Sequence, residues 1–218
     1  MGRNLIFKDK RKLAPNYIPQ KLTGRKEEMR ELVRCFKPVL KGGADQRIIV
    51  IGPTGSGKTS LGIVFGRELE SYAEEIHEGI EWVRTDCRRW RTSWQVLGDL
   101  LKSSIAGTEP QGLGEEEILK RIVETVNSDR DRYVFMVDDL DTLIDRDNAE
   151  FLYTLTRIGE ESREMGNLSL VLSLKDIDAL KNLDEATRST LFHNYLRLGG
   201  YDRDRIYEIL KRRESVAL

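Results

Sequence analysis

The sequence predicts a three-layer α/β domain built on a five-stranded parallel sheet. Five short, mostly apolar segments, Arg47–Ile51, Ile80–Thr85, Tyr133–Asp138, Leu168–Leu174 and Tyr195–Leu198, alternate with longer helical stretches. Strands that alternate with helices pair in parallel and are covered on both faces. The first strand runs straight into a glycine-rich turn, GPTGSGKT at 52–59, and the third ends in carboxylates, VDDLD at 137–141.

Taken in order, residues 1–24 read as an arm with polar turns and two prolines, Pro15 and Pro19. Arg25–Leu40 carries Met29, Leu32, Val33 and Phe36 at helical spacing, and Lys41–Gln46 forms a glycine-containing turn before the first strand. Helices are predicted near Thr59–Ala73, Thr92–Ser104, Glu115–Asn127, Asn148–Met165 and Asp184–Leu191. After Gly199-Gly200, Tyr201–Arg213 reads as one more helix, with Ile206, Ile209 and Leu210 on a face. An amphipathic helix covers its apolar stripe with something, and little sequence remains to supply a partner. The expectation is that residues 201–218 begin a second domain, after a base domain spanning 25–200.

Composition bounds the function. The 218 residues are 39% hydrophobic and 33% charged, enough to bury a core. No apolar run approaches the ~20 residues of a membrane span, and the N-terminus lacks an apolar signal segment. Two cysteines, Cys35 and Cys87, lie far apart and read as reduced thiols, which together with the absent signal makes a cytoplasmic location the expectation. The 36 basic and 37 acidic residues argue against a chain-wide electrostatic footprint for nucleic acid. The local cluster Arg88, Arg89, Trp90 and Arg91 reads as a solvated surface turn, with phosphate and stacking contacts as the alternative. His77 and His193, the only histidines, are too far apart to suggest zinc, and Trp82, Trp90 and Trp94 read as packing residues.

The glycine-rich turn matches the phosphate-loop pattern G-x-x-x-x-G-K-[ST] at Gly52, Gly57, Lys58 and Thr59. Glycines let main-chain N–H groups close on a polyphosphate, and the following helix adds its positive N-terminal end. The candidate nucleotide-binding segment runs through Gly52, Pro53, Thr54, Gly55, Ser56, Gly57, Lys58, Thr59 and Ser60. Lys58 can reach the terminal phosphates, and the Thr59 hydroxyl can ligate Mg²⁺. Asp138, at the carboxyl end of a sheet strand, is the second candidate Mg²⁺ residue, with Asp139 placed to polarise the attacking water.

Several segments together resemble the archaeal AAA+ replication initiators of the origin-recognition and Cdc-six family. They are the arm FKDKRKLAPNYIPQKLTGRKEEMREL, GPTGSGKT, TDCRRWRTSWQVL, VDDLDTL, LDEATRSTL and YDRDRIYEILKRR. The resemblance implies an AAA+ base domain, with 201–218 opening a helical lid, that binds ATP or ADP with Mg²⁺. It implies that Tyr17, Ile18 and Pro19 lie beside the adenine, that Asp138 is the metal-binding acid, and that Lys58 and Asp139 serve catalysis. It also implies DNA as a partner in the full-length context, held weakly by this chain, and association with itself or other initiator subunits.

Departures from the family pattern fall on groups that act in the transition state. Asp139 stands where the family has Glu, and retracting a carboxylate by about an ångström can cost on the order of a hundredfold in rate. Leu174 or Ser173 takes the place of the family's sensor asparagine, and Thr190 that of its arginine finger, with Arg188 nearby. Binding without efficient turnover is expected. The readings that compete are an ATP-switched replication initiator, a non-catalytic nucleotide-binding interaction module, and an AAA+ regulator of transposition or repair.

Overall fold

The computed structural model describes residues 8–14, 16–128, 130–144, 151–152, 155, 167–181, 183, 185 and 194–218. Five parallel strands, β1 (Arg47–Ile51), β2 (Ile80–Asp86), β3 (Arg132–Asp138), β4 (Leu168–Leu174) and β5 (Tyr195–Arg197), form one sheet in the order β2-β3-β4-β1-β5. The described helices are α1 (Lys26–Phe36), α2 (Lys58–Glu75), α3 (Ser93–Ser104), α4 (Glu115–Ser128), the single turn α5 (Asp141–Ile144) and α6 (Arg203–Ala217). This is the five-stranded parallel sheet, covered by helices, that the sequence predicts.

Strand composition follows position in the sheet. Every residue of β3 and β4 is buried, as nearly continuous apolar runs in a sheet covered on both faces should be. The edge strands β2 and β5 alternate instead. Because successive side chains point to opposite faces, each central strand divides between two cores. Ile49, Ile51, Phe135, Val137, Leu170 and Leu172 meet α3 and α4. Ile48, Val50, Val134, Met136 and Val171 meet α1 and α2 on the other face, where Phe36, Phe65 and Trp82 stack edge-to-face at 5.2 and 5.7 Å. Each such buried side chain stabilises the fold by about 1.5–3 kcal/mol.

Among the boundaries that differ from the sequence expectation, three have a clear local reason. Helix α1 stops at Phe36, because Pro38 has no N–H to continue the ladder and the chain tightens into a 3₁₀ turn at Val39–Lys41. Helix α2 begins at Lys58, one residue early, since Gly57 adopts a left-handed conformation at φ +91° and forms its cap. Helix α6 starts at Arg203, where the Asp202 carboxylate accepts the Arg205 N–H at 2.8 Å, and continues to Ala217. The predicted helices Asn148–Met165 and Asp184–Leu191 lie almost wholly outside the described residues, as do Arg188, Ser189, Thr190 and His193.

The last helix, expected to begin a second domain, meets the arm along one side. The N–H groups of Lys8 and Asp9 donate to the Ala217 carbonyl at 2.7 and 3.1 Å, and Ala217 is fully buried. Arg213 donates to the carbonyls of Ala14 and Tyr17 at 3.4 and 3.2 Å. Main-chain groups of an irregular arm need partners, and α6 provides them. Its other side, with Ile206, Tyr207 and Leu210, is exposed. Among the described residues, no helix is long and apolar enough to cross a membrane.

Candidate nucleotide site

The parallel registers bring the carboxyl ends of the central strands to one edge. Ile51 pairs with Leu174, and Asp86 with Asp138. The glycine-rich loop leaves β1 at this edge, the crevice where α/β sheets bind ligands. Gly55 and Gly57 hold φ values of +82° and +91°, which other residues adopt only with strain. A Cβ on Gly57 would lie 2.6 Å from the Tyr201 hydroxyl. Pro53, Thr54 and Gly55 are exposed at the crest, whereas Ser56 is buried with its hydroxyl turned toward Gly52. The Lys58 ammonium donates to the carbonyls of Gly52 and Pro53, at 2.6 and 3.2 Å. Burial holds its pKa below the ordinary lysine value, while Asp139, Asp141 and Asp138 oppose that shift.

At the end of β3 the fold resolves which residue of β4 faces Asp138. Side-chain alternation puts Leu174 in the core beneath α3 and α4, and Ser173 on the opposite face. The Ser173 hydroxyl donates to Asp138 Oδ1 and accepts the Asp139 N–H at 2.9 Å. Arg84, from β2, donates to Asp138 Oδ2 at 2.7 Å. Asp139 adopts φ +51° and pairs with Arg88 at 2.9 Å. Burial and the neighbouring Asp138 raise the Asp139 pKa, with Arg88 and Lys58 opposing. Asp141 receives both the Lys175 ammonium at 2.7 Å and the Lys175 N–H at 3.1 Å.

A cavity of about 650 Å³ opens between the arm, the loop and α6. Of the residues named from sequence, Tyr17, Ile18, Pro19, Gly55, Gly57 and Ser60 line it, joined by Tyr201, Ile209, Arg212 and Arg213. Lys58, Asp138 and Asp139 stand outside that lining and interact with one another. Volume and mixed lining suit a ligand of nucleotide size.

Sequence reasoning missed Arg25, Tyr201 and Arg84. Arg25 is only 1% exposed. Its guanidinium donates to the Ser56 carbonyl at 2.7 Å, the Gly199 carbonyl at 2.6 Å and the Tyr201 hydroxyl at 3.3 Å. It also pairs with Glu28 and lies 4.4 Å from the Tyr201 ring centre. One signal was available: Arg25 stands at the entry to α1, where Ser, Thr, Asp or Asn would ordinarily cap the helix. For Arg84 the signal was its spacing of two from Asp86 on one strand. The candidate DNA cluster is modified by the fold: Arg88 is held by Asp139, and Arg89 stacks 4.9 Å from the Trp90 ring.

The donors expected for Mg²⁺ have suitable chemistry, a hydroxyl on Thr59 and a carboxylate on Asp138. As folded they do not fit a metal well, because one Asp138 oxygen takes the Ser173 hydroxyl and the other the Arg84 guanidinium.

Residues 21–172 match the AAA ATPase domain. The chain is 27% identical, over 100% of its length, to ORC1-type DNA replication protein 1 of Sulfurisphaera tokodaii, covering 54% of that protein. It is 29% identical to ORC1-type DNA replication protein 2 of Saccharolobus solfataricus, over 98% of this chain and 52% of the other. Among solved structures it superimposes on the Aeropyrum pernix ORC1 protein in complex with DNA, with a TM-score of 0.87 and 26% identity, covering 99% of this chain and 55% of that one. The ADPNP–ADP complexes of the Aeropyrum pernix ORC2 protein share the fold, with a TM-score of 0.85 at 24% identity, covering 97% and 57%. The chain therefore spans about half the length of the relatives it matches. With its sheet order, its phosphate loop and this match over residues 21–172, the chain belongs to the AAA ATPase domain family, and its relatives there include ORC1-type replication proteins.

Proposed function

We propose that this chain binds ATP or ADP in the cavity between arm, loop and α6, hydrolyses it slowly, and serves in the initiation of DNA replication. The observation that carries the reading is the convergence of Tyr17, Ile18 and Pro19 on the same cavity as Gly55, Gly57 and Ser60. An apolar and aromatic arm suits a base, and the glycine-rich turn with α2 behind it suits phosphates. Replication is proposed from the similarity to ORC1-type proteins, of which this chain covers about half. DNA contact by this chain alone is proposed to be weak, given the near balance of charge and the engagement of Arg88 with Asp139.

In this reading the loop N–H groups and Lys58 hold the phosphates, which requires Lys58 to leave the Gly52 and Pro53 carbonyls. Slow turnover follows from the acidic end of β3. Asp139 is short, left-handed and paired with Arg88, and Ser173 is spent on Asp138. Those same observations favour a second reading, a nucleotide-binding interaction module without catalysis. Calorimetric titration of the 218-residue chain with ADP and with a non-hydrolysable ATP analogue tests binding, with Lys58→Met as control. Uptake by the parent chain that is lost in the variant supports the reading, and no uptake refutes it. A turnover assay giving several cycles per second at low enzyme concentration refutes slow hydrolysis.

A further inference from the structure

The carboxylates at the carboxyl end of β3 are each matched to a cation from a different part of the chain. Asp138 pairs with Arg84 of β2, Asp139 with Arg88 after β2, and Asp141 with Lys175 after β4. The pairing at Asp138 has a topological cause. Arg84, Asp138 and Ser173 all point to the α2 face of the sheet, as their neighbours Trp82, Met136 and Val171 do. Two strands deliver a guanidinium and a hydroxyl to the two oxygens of one carboxylate that is itself fully buried.

We infer that Arg84 takes the electrostatic place of a divalent cation at Asp138, so that nucleotide binding by this chain is largely independent of Mg²⁺. The inference rests on the nucleotide reading above. A metal held by Asp138, directly or through a water, would have to displace Arg84. The Arg84 side chain is about a quarter exposed and has Asp86, at 3.4 Å, as its only other carboxylate neighbour among the described residues, so its charge would lose its main partner. Stranding one member of a buried pair is costly, and arginine cannot relieve that cost by losing a proton. The positive charge that a metal would bring to this edge is already covalently part of the fold.

The test compares ADP dissociation constants, by calorimetry, in buffer containing MgCl₂ and in buffer containing EDTA. For the parent chain the two constants are expected to agree within about threefold, whereas Arg84→Met, which frees Asp138, should bind at least about tenfold more tightly with Mg²⁺. Arg84→Lys keeps a positive charge and should stay close to the parent. Arg84→Gln serves where the methionine variant fails to fold. A tenfold or larger Mg²⁺ preference in the parent chain overturns the inference while leaving the nucleotide reading standing, as does an unchanged ratio in folded Arg84→Met or Arg84→Gln. Absence of uptake in both buffers overturns the nucleotide reading and this inference with it.

Discussion

The guanidinium of Arg25 donates to the carbonyl of Ser56 at 2.7 Å, joining the entry of α1 to the floor of the phosphate loop. The same group reaches the Gly199 carbonyl and the Tyr201 hydroxyl. One buried cation therefore ties together the segment after the arm, the loop, and the connection from β5 to α6. The loop is thereby tied to the connection that leads into the helix lining the cavity.

Replacing Arg25 by Ala should destabilise the fold by about 3–5 kcal/mol, because Glu28 and two carbonyls lose a buried charged partner. Urea unfolding measures this. Arg25→Lys should restore little, since a single ammonium cannot reproduce the planar fork that serves several acceptors.

Gly57→Ala places a Cβ 2.6 Å from the Tyr201 hydroxyl at a φ of +91°. The left-handed conformation alone costs about 1–2 kcal/mol. Nucleotide affinity should fall at least about tenfold, read by calorimetric titration of a variant whose circular dichroism remains that of the parent.

Ser173→Ala removes the hydroxyl that bridges Asp138 Oδ1 and the Asp139 N–H. A buried donor and part of a buried carboxylate then lack partners, at a cost of about 1–3 kcal/mol in unfolding free energy. Ser173→Thr keeps the hydroxyl and should lose less.

Asp45, before β1, should make stability depend on pH. Burial raises its pKa from 3.8 to about 6, although the Leu168 N–H and the charges of Arg132 and Arg47 pull the other way. Between those values the folded chain binds more protons than the unfolded chain, so this residue's contribution to stability falls as pH rises through the window. Asp45→Asn mimics the neutral form. Its melting temperature should exceed the parent's at pH 7.5, and the difference should shrink as pH falls and vanish below about pH 3.

Much of the architecture was legible locally. The strands and the sheet type followed from apolar runs alternating with helical periodicity, and the buried runs of β3 and β4 carried the sheet's interior. The loop from Gly52 to Thr59 was legible because its requirements lie within eight consecutive residues. The partner of Asp138 was less so: with Ser173 and Leu174 adjacent, only the pairing of β4 with β3 and β1 settles which one turns toward it.

By itself, then, the sequence determined the element order, the phosphate-loop backbone chemistry and the carboxylates at the end of β3, because these depend on residues close together in the chain. Tertiary structure alone decided that Arg25 braces the loop, that Arg84 neutralises Asp138, and that the arm covers part of α6. A hydrogen bond or ion pair is specified by distance in space, and only sheet register and helix docking bring residues from separate elements within 3 Å or so of one another.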